Sequence, residues 1–283
     1  MNKKRSPVKQ ITASLSYVPV VVWVIFTFIL IGWVFFASLS DSSEIFSEHV
    51  FKLKNGFRFG NYVKAWNIQM VSVFFMNSLL YTVVSCIGVI IIASPAAYVL
   101  SRYKFTGNTI IQTLFAAALG IPVIMVIMPL FGLASAFRIT CSRWLLMFLY
   151  TAMNVPFAVF FLLAFFKNLS FTYEEAAAID GCSPVKTFWK IMLPLVQPGL
   201  VTLTVFNFIT VWNEFFVSLV FADRPNVQPV TVGLYNIIQS MRHTEDLAGI
   251  FASVVIVFLP ALILYIFFSD KIIKGVTAGA IKL

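Results

Sequence analysis

The stretch SFTYEEAAAIDGCSPVKTFWKIMLP, residues 170–194, separates two long apolar segments and is the most informative part of this 283-residue chain. Thr172 and Glu175 have the spacing of a capping box, which predicts that a short helix starts there. Gly181 suits the left-handed residue that ends a helix. Ser183, followed by a proline, suits the start of a second helix. The stretch therefore predicts a helix–turn–helix loop.

The second predicted helix carries apolar side chains at the i, i+3, i+4 and i+7 positions, namely Val185, Phe188, Trp189 and Met192. At this spacing they form one stripe, which could pack on the ends of spanning helices. The first predicted helix would present Glu174 and Glu175 to the cytoplasm. A rigid acidic surface of this kind suits a membrane protein that receives force from a soluble motor.

The composition of the chain indicates a membrane protein. Hydrophobic residues make up 60 % of it, charged residues 11 %, and 31 residues are phenylalanine. A soluble domain carries about 25 % charged residues, so this chain cannot cover a globular surface with polar groups. The net charge of +9 comes from basic residues in short breaks between apolar runs. These residues are interpreted as determinants of membrane topology, and no nucleic-acid partner is expected.

Six segments are long and apolar enough to cross a bilayer, which takes about 20 helical residues. Strands of a membrane barrel are about 9–11 residues long, so these lengths favour helices. The predicted fold is an all-α integral membrane protein with six transmembrane helices, at about residues 17–39, 71–100, 109–134, 144–166, 197–221 and 247–269.

The amino terminus resembles a signal peptide, because Lys3, Lys4 and Arg5 precede an apolar stretch. That stretch, Tyr17–Leu39, has 23 residues, whereas the apolar region of a signal peptide has about 7–15. It is therefore interpreted as an uncleaved first span. The basic amino-terminal residues predict that residues 1–16 lie in the cytoplasm.

An even number of spans then puts both termini on the cytoplasmic side of a bacterial plasma membrane. The predicted division is a transmembrane domain at residues 17–270, with the cytoplasmic loop 171–194 inside it, and a cytoplasmic tail at residues 271–283. The loops that would lie outside the cell, residues 40–70 and 222–246, could cap the mouth of a pore or serve as plain connections.

The loop resembles the EAA loop of importer permeases in the ATP-binding-cassette (ABC) superfamily. The matching residues are Glu175-Ala176-Ala177, Gly181, Ile191 and Leu193-Pro194. Other stretches resemble the carbohydrate branch of these permeases, the maltose- and oligosaccharide-type or MalG-like branch: Asn77-Ser78-Leu79, Ala97-Tyr98, Arg102-Tyr103-Lys104-Phe105, Pro156-Phe157, Trp212-Asn213-Glu214 and Thr277-Ala278-Gly279-Ala280. Leu283 departs from the pattern, because such permeases often end in glycine.

The resemblance implies the MetI-like fold of type I ABC importer permeases and a loop that seats in a cleft of a partner ATPase. There Glu175 would pair with a basic residue, and Gly181 would keep the turn tight. The implied coupling residues are Glu174, Glu175, Ala176, Ala177, Asp180, Gly181, Val185, Phe188, Ile191, Leu193 and Pro194. The carboxyl-terminal tail would also contact the ATPase, through Thr277, Gly279 and Lys282.

The resemblance also implies the partners. They are a homologous second permease subunit, an ATPase dimer that binds ATP and Mg, and an extracytoplasmic solute-binding protein. The carbohydrate branch favours a heterodimer, in which the second permease subunit differs from this chain. The chain has no GxxxxGK[ST] phosphate loop, and its cysteines and histidines show no metal-ligand spacing. We therefore expect a non-enzymatic subunit without a cofactor or metal of its own.

Two other classes of protein fit the composition. A secondary transporter or channel that works without ATP would carry ionisable relays or broken helices at mid-membrane, and among the predicted spans only Glu214 is ionisable. A membrane enzyme would need a cluster of carboxylates, histidines or a nucleophile at one depth, and none is evident.

Polar residues inside the bilayer are costly and so become candidates for the pore and for solute contact. Glu214 lies about 16 residues beyond the start of the fifth span, so about 24 Å along the helix and near the outer boundary. Interfacial tryptophan and hydrogen bonds between helices would explain such residues equally well. In a heterodimeric permease, the partner subunit is an alternative holder of the sugar. The candidates are Asn77, Asn154, Asn207, Trp212, Asn213 and Glu214.

Overall fold

The structure is a computed structural model, and it describes residues 7–46, 56–241 and 246–280. Side chains are described for residues 17–46, 56–240 and 246–270. The α-helices in these ranges are α1 (Pro7–Leu39), α2 (Gly60–Asn67), α3 (Val71–Arg102), α4 (Asn108–Ala118), α5 (Val123–Ala136), α6 (Arg143–Lys167), α7 (Thr172–Ile179), α8 (Pro184–Thr187), α9 (Leu193–Leu195), α10 (Gln197–Trp212), α11 (Phe216–Phe221), α12 (Val230–Met241) and α13 (Leu247–Ala280). A π-helical segment, Phe188–Met192, joins α8 to α9, and a 3₁₀ turn, Pro225–Val227, precedes α12.

Four of these helices are long and apolar enough to cross a membrane: the Tyr17–Leu39 part of α1, α3, α6 and the Leu247–Asp270 part of α13. Two pairs of shorter helices also qualify, but each pair is sharply bent. The pair α4 and α5 is bent by 98°, and the Pro184–Leu195 stretch is bent by 75° against α10. The described residues thus hold four spans, or up to six if each bent pair is one span. The predicted all-helical membrane fold is confirmed.

The third predicted span, residues 109–134, is not a single helix. It breaks between α4 and α5, where Gly120 lies in a turn and Pro122 is extended with ψ of 125°. The restriction that a proline places on the preceding residue disfavours helical geometry at this point. The prediction of one continuous helix here was therefore wrong.

The fifth predicted span, residues 197–221, is also interrupted. Helix α10 ends at Trp212, and α11 begins at Phe216 after a three-residue break that contains Glu214. The backbone restarts there because the Glu214 carboxylate binds amide groups at the start of α11. A pattern of apolar residues alone does not reveal such a break, because both helices are equally apolar.

The helices extend beyond the predicted spans at both ends of the chain. Helix α13 continues past residue 269 to Ala280, so Thr277 and Gly279 lie on a helix, and Lys282 lies outside the described residues. Helix α1 likewise begins at Pro7, inside the predicted tail 1–16.

Compactness divides the chain into two units, one comprising Met1–Gln69 with Ile237–Ile256 and the other comprising Met70–Asn236 with Val257–Leu283. In the first unit, Trp33 packs edge-on against Phe251 with ring centroids 5.1 Å apart. Lys64 forms a 2.5 Å ion pair with Asp246. Packing from α1 and charge pairing from α2 therefore hold the start of α13 within this unit.

In the second unit, α3 packs along α6 and against α10. Small residues permit close approach, since a β-carbon built on Gly88 would lie 2.9 Å from the Thr151 side chain. One apolar core surrounds Leu162 and Met192 near the end of α3, and another surrounds Tyr81 and Leu146 near its start. Helix α3 therefore runs between the two regions that hold the candidate functional residues.

Candidate coupling loop and pore residues

The first helix of the 171–194 loop is α7, which starts at Thr172 as predicted, but not through a capping box. Phe171, the residue before the helix, is itself helical and makes no side-chain cap. Ser170 supplies the contact instead, because its hydroxyl accepts the Thr172 backbone N–H at 3.2 Å and also bonds the Thr172 hydroxyl. Glu175 is therefore not engaged in a cap, and its side chain is exposed.

The turn after α7 has the predicted left-handed glycine. Gly181 has φ of +71°. Its N–H donates to the Ala178 carbonyl at 3.1 Å, and the Cys182 N–H donates to the Ala177 carbonyl at 2.9 Å. These two bonds define a Schellman motif, which satisfies the carbonyl groups at the end of the helix. The prediction for Gly181 is confirmed.

The second helix of the loop begins as predicted but then changes its winding. Ser183 accepts the Lys186 backbone N–H at 3.4 Å and so caps α8. From Phe188 to Met192 the chain is π-helical, and the Leu193 N–H reaches back five residues to the Phe188 carbonyl. A π-helical turn holds more residues than an α-helical turn, so the i, i+3, i+4 register does not persist through it.

This change corrects the predicted apolar stripe. Phe188 and Met192 are buried, with 5 % and 0 % exposure, whereas Val185 and Trp189 are 67 % and 51 % exposed. The π-helical winding separates the four side chains into one pair that anchors the loop to the core and one pair that stays on the surface.

The predicted coupling residues divide in the same way. Ala177 is buried, and Ile191 and Leu193 are partly buried against the core. The exposed set comprises Glu175, Ala176, Asp180, Gly181, Val185 and Pro194, with Ile179 beside them at 86 % exposure. The exposed set forms an acidic and apolar surface on α7 and α8.

Glu174 does not face solvent, contrary to the sequence-based expectation. Its side chain is 19 % exposed and turns towards the end of α3. The Tyr98 hydroxyl donates to its Oε1 atom at 2.8 Å, and Arg102 Nε lies 3.4 Å from its Oε2 atom. The reason is geometric, since the rotation per residue of an α-helix puts adjacent Glu174 and Glu175 on different faces.

Arg102 is the centre of this arrangement, and sequence reasoning did not single it out as functional. Its side chain is 2 % exposed. Its Nη2 atom donates to the Leu169 carbonyl at 2.9 Å, and its guanidinium lies 4.4 Å from the centre of the Phe171 ring. An available signal was the i, i+4 spacing of Tyr98 and Arg102, which places both on one face at the end of a span.

At the opposite end of α3, Asn77 has a structural role. It is 4 % exposed, and its Nδ2 atom donates to the carbonyls of Asn226 and Gln228 at 2.9 and 3.0 Å. The Tyr81 hydroxyl donates to the Val227 carbonyl at 2.8 Å. These bonds fasten the segment before α12 to α3. Asn77 is therefore engaged with this segment, because both its amide hydrogens are donated to backbone carbonyls, and its place on a pore wall stays a prediction.

Trp212 is also a packing residue. It is 2 % exposed, and its indole N–H donates to the Val257 carbonyl at 3.2 Å. Its ring stacks on Phe208 at 5.5 Å and meets Phe75 edge-on. The indole is thus enclosed within this chain, and a sugar contact by Trp212 stays a prediction.

Asn207 and Asn213 lie in different surroundings. Asn207 is 1 % exposed, and within the described residues neither of its amide atoms has a hydrogen-bond partner. It is enclosed within this chain, and its place on a pore wall stays a prediction. Asn213 ends α10, is exposed, and donates from Nδ2 to the Ile209 carbonyl at 2.8 Å.

Asn154 and Glu214 do come together. Both line a cavity of about 230 Å³ whose other walls include Tyr150, Met153 and Thr210. Asn154 uses Nδ2 to bond the Tyr150 carbonyl at 2.8 Å. Two of the six predicted pore residues therefore share one cavity.

The Glu214 carboxylate is occupied by its own chain. Oε1 accepts the Val217 N–H at 2.7 Å, and Oε2 accepts the Ser218 N–H at 3.1 Å and the Ser218 hydroxyl at 2.9 Å. A carboxylate in this position caps the start of α11. The chemistry available to Glu214 is therefore support of the cavity wall.

Helices long and apolar enough to span a membrane, together with an exposed acidic loop, suit the membrane component of a transport system. Residues 88–277 match the family described as "Binding-protein-dependent transport system inner membrane component", and the chain belongs to this family. It is the permease subunit of an ABC importer and an integral inner-membrane protein. Permeases of this family are not enzymes, and they generally work with a second permease, a solute-binding protein and an ATPase that binds the ATP.

Curated relatives match along most of the chain. The diacetylchitobiose uptake system permease protein NgcG of Streptomyces coelicolor is 31 % identical over 270 residues, covering 95 % of this chain and 89 % of the relative. The trehalose transport system permease protein SugB of Mycobacterium tuberculosis is 28 % identical, covering 88 % and 90 %. The probable starch degradation products transport system permease protein AmyC of Thermoanaerobacterium thermosulfurigenes is 28 % identical, covering 87 % and 88 %.

A solved structure is similar in fold. A chain from the crystal structure of a bacterial ABC transporter involved in import of the acidic polysaccharide alginate superimposes with a TM-score of 0.80. The match covers 95 % of this chain and 99 % of that chain, at 21 % sequence identity. The predicted fold of an importer permease is confirmed.

Proposed function

We propose that this chain is one half of the translocation pore of a bacterial importer for sugars or oligosaccharides. The observation that carries the proposal is the 31 % identity to a diacetylchitobiose permease over 95 % of the chain. The names of the trehalose and starch-product relatives point to the same class of solute. The second half of the pore would be a different, homologous permease subunit.

We propose that the exposed surface of α7 and α8 binds the ATPase. Glu175 is the acidic group at its centre, and Ile179 and Val185 supply exposed apolar area beside it. Specific protein interfaces combine apolar contact area with polar and charged groups. Glu175 would pair with a basic residue of the ATPase, and Thr277, Gly279 and Lys282 would add a second contact from the end of the chain.

This assignment requires the 171–194 loop and both termini to lie in the cytoplasm. The basic residues Lys3, Lys4, Arg5 and Lys9 near the amino terminus support that orientation. ATP and Mg would bind only in the ATPase subunits, and an extracytoplasmic binding protein would deliver the solute.

We propose that the cavity shared by Asn154 and Glu214 is part of the solute path. Asn154 uses its amide nitrogen within α6, so its Oδ1 atom can accept a sugar hydroxyl. The largely apolar wall, with Met153 and Phe216, suits the C–H faces of a sugar ring. Glu214 would serve this site by holding α11 in place.

The test uses the whole importer, with both permeases, the ATPase and the binding protein, in proteoliposomes. Uptake of a labelled disaccharide should require ATP on the side of the 171–194 loop. Glu175→Arg should lower uptake about tenfold or more, because a like-charge contact at an interface costs several kcal/mol. The matched control is Asp223→Arg, which reverses an exposed acidic residue outside the loop.

An ATP-independent transporter is the competing function. Uptake by this chain alone, without ATP or ATPase, would establish that function and refute the proposed one. Normal uptake by the Glu175→Arg, Gly181→Asp double variant with its ATPase still bound would refute the role of the loop.

A further inference from the structure

Helix α7 is weakly anchored by apolar packing. Of its eight residues, only Ala177 is buried. A side chain as small as alanine contributes little buried area. A helix held this loosely could tilt or slide when a partner pulls on Glu175, and the pull would then be lost within the loop.

Polar contacts from Glu174 supply the missing attachment. Oε1 accepts the Tyr98 hydroxyl at 2.8 Å, and Oε2 lies 3.4 Å from Arg102 Nε. Both partners belong to the last turns of α3, which runs on into the apolar core. We call these three residues, Tyr98, Arg102 and Glu174, the Arg102 cluster.

Arg102 also holds the chain segment that leads into α7. It donates to the Leu169 carbonyl at 2.9 Å and lies over the Phe171 ring at 4.4 Å. A planar guanidinium can make several directional contacts at once, which the ammonium of lysine cannot reproduce. The residues before α7 and the first turn of α7 are thus tied to one buried side chain.

Tyr98 connects the cluster to the core of the second unit. Its ring is 5 % exposed and meets Phe166 of α6 at 5.5 Å and Phe188 of the π-helical segment at 5.1 Å. Its hydroxyl reaches α7. One side chain therefore contacts α6, α7 and the π-helical segment from α3.

A cavity of about 280 Å³ lies beside the cluster, lined further along the loop by Ala178, Cys182 and Thr187. This space is not filled by apolar side chains, so close packing cannot transmit a displacement across it. The polar contacts of the Arg102 cluster link α7 directly to α3.

We propose that the Arg102 cluster transmits the movement of α7 to α3, so that a displacement imposed at Glu175 by the ATPase reaches the spanning helices. This inference rests on the proposed function of the loop. Arg102, Tyr98 and Glu174 are positioning residues, because they touch neither solute nor nucleotide. Glu174 and Glu175 thus have different roles. Glu174 attaches α7 to α3, and Glu175 binds the ATPase.

The experiment measures solute uptake and ATP hydrolysis together in proteoliposomes that contain the complete importer. Arg102→Gln and Glu174→Gln each remove one charge of the cluster, and Glu174→Gln also keeps the shape of the side chain. The uptake per ATP hydrolysed should fall about fivefold in each, within the range for mutations along a coupling network. The ATPase should co-purify in normal amount, because the exposed surface around Glu175 is unchanged.

Two further variants separate transmission from simple structural damage. Lys104→Gln is the matched control, because it removes an exposed cation two residues from Arg102, and it should leave uptake per ATP unchanged. The double variant Arg102→Gln, Glu174→Gln leaves neither charge without its partner. Its fold-loss of uptake per ATP should therefore be smaller than the product of the fold-losses of the two single variants. Tyr98→Phe keeps the aromatic packing and removes one hydrogen bond, and should give an intermediate loss.

The outcomes separate this inference from the proposed function. If the wild-type complex does not couple sugar uptake to ATP, the proposed function itself fails. If the wild type couples normally and Arg102→Gln keeps the same uptake per ATP, only the role of the cluster is overturned. Loss of the ATPase from the Arg102→Gln complex would also overturn it, because the cluster would then serve docking.

Discussion

Replacing Glu214 with glutamine tests whether this residue binds solute or supports the helix that follows it. The carboxylate accepts three hydrogen bonds, one from Val217 and two from Ser218. Glutamine has a single acceptor oxygen, so it can keep the bond to Val217 but sets an N–H₂ group against the Ser218 amide. The Ser218 hydroxyl can turn and accept from that group.

The net loss is one backbone hydrogen bond to a charged acceptor, which costs about 2 kcal/mol. For a domain of a few hundred residues this lowers the unfolding midpoint by roughly 4–8 °C. The KM for solute should stay within about twofold, because three of the roughly four acceptor sites of the Glu214 carboxylate are used within its own chain. Uptake per molecule of intact importer should therefore be nearly normal.

The assay is thermal unfolding of the purified complex in detergent, followed by uptake kinetics of the same preparation in proteoliposomes. Asp223→Asn is the control, since it neutralises an exposed acid in the segment that follows α11 and should change neither measurement. Asn154→Leu provides the contrast: it should raise KM if the cavity belongs to the solute path. An unchanged midpoint for Glu214→Gln together with a strongly raised KM would refute the capping role and restore Glu214 as a solute ligand.

Three further substitutions test the packing, the turn and the outer segment. Gly199→Ala should destabilise the complex by about 1–3 kcal/mol, because its new β-carbon would lie 2.8 Å from the Phe165 ring. The control is Gly132→Ala, whose new β-carbon would have no atom within 4 Å. It should leave the unfolding midpoint unchanged or raise it. Gly181→Ala should lower the stability by about 1–2 kcal/mol, because alanine is strained at φ of +71°. Gly181→Asn should lower it less. Equal unfolding midpoints for the two variants would contradict this reasoning. Asn77→Leu removes the donor to the buried Gln228 carbonyl, whereas the Asn226 carbonyl keeps its bond from Arg143. Stability should therefore fall by about 1–3 kcal/mol, with faster proteolysis before α12. Unchanged proteolysis would show that these bonds do not hold that segment.

The arrangement of α3 suggests why the loop is built with one engaged and one exposed glutamate. At one end α3 is tied to α7 through Tyr98 and Arg102, and at the other it is tied to the segment before α12 through Asn77 and Tyr81. Because α3 also packs along α6 and against α10, a force delivered at α7 is applied to the central helices of the second unit.

The sequence determined the environment, the class of protein and much of the loop. Long apolar runs with few charges fit a lipid bilayer and not water, so the all-helical membrane fold followed from composition and length. The turn at Gly181 and the cap at Ser183 also followed, because local backbone geometry restricts which residues can occupy such positions. These are properties of a residue and its near neighbours in the chain.

The tertiary structure decided which polar side chains are used within the chain and which stay on its surface. Glu174 and Glu175 are adjacent and chemically identical, yet only Glu174 meets Arg102 and Tyr98, which lie more than seventy residues earlier in the chain. Asn77 and Trp212 looked like solute ligands but are occupied by backbone carbonyls of distant segments. Hydrogen bonds of this kind depend on which separate segments lie close together in the folded chain. Spacing along the sequence does not show which distant segment a side chain will contact.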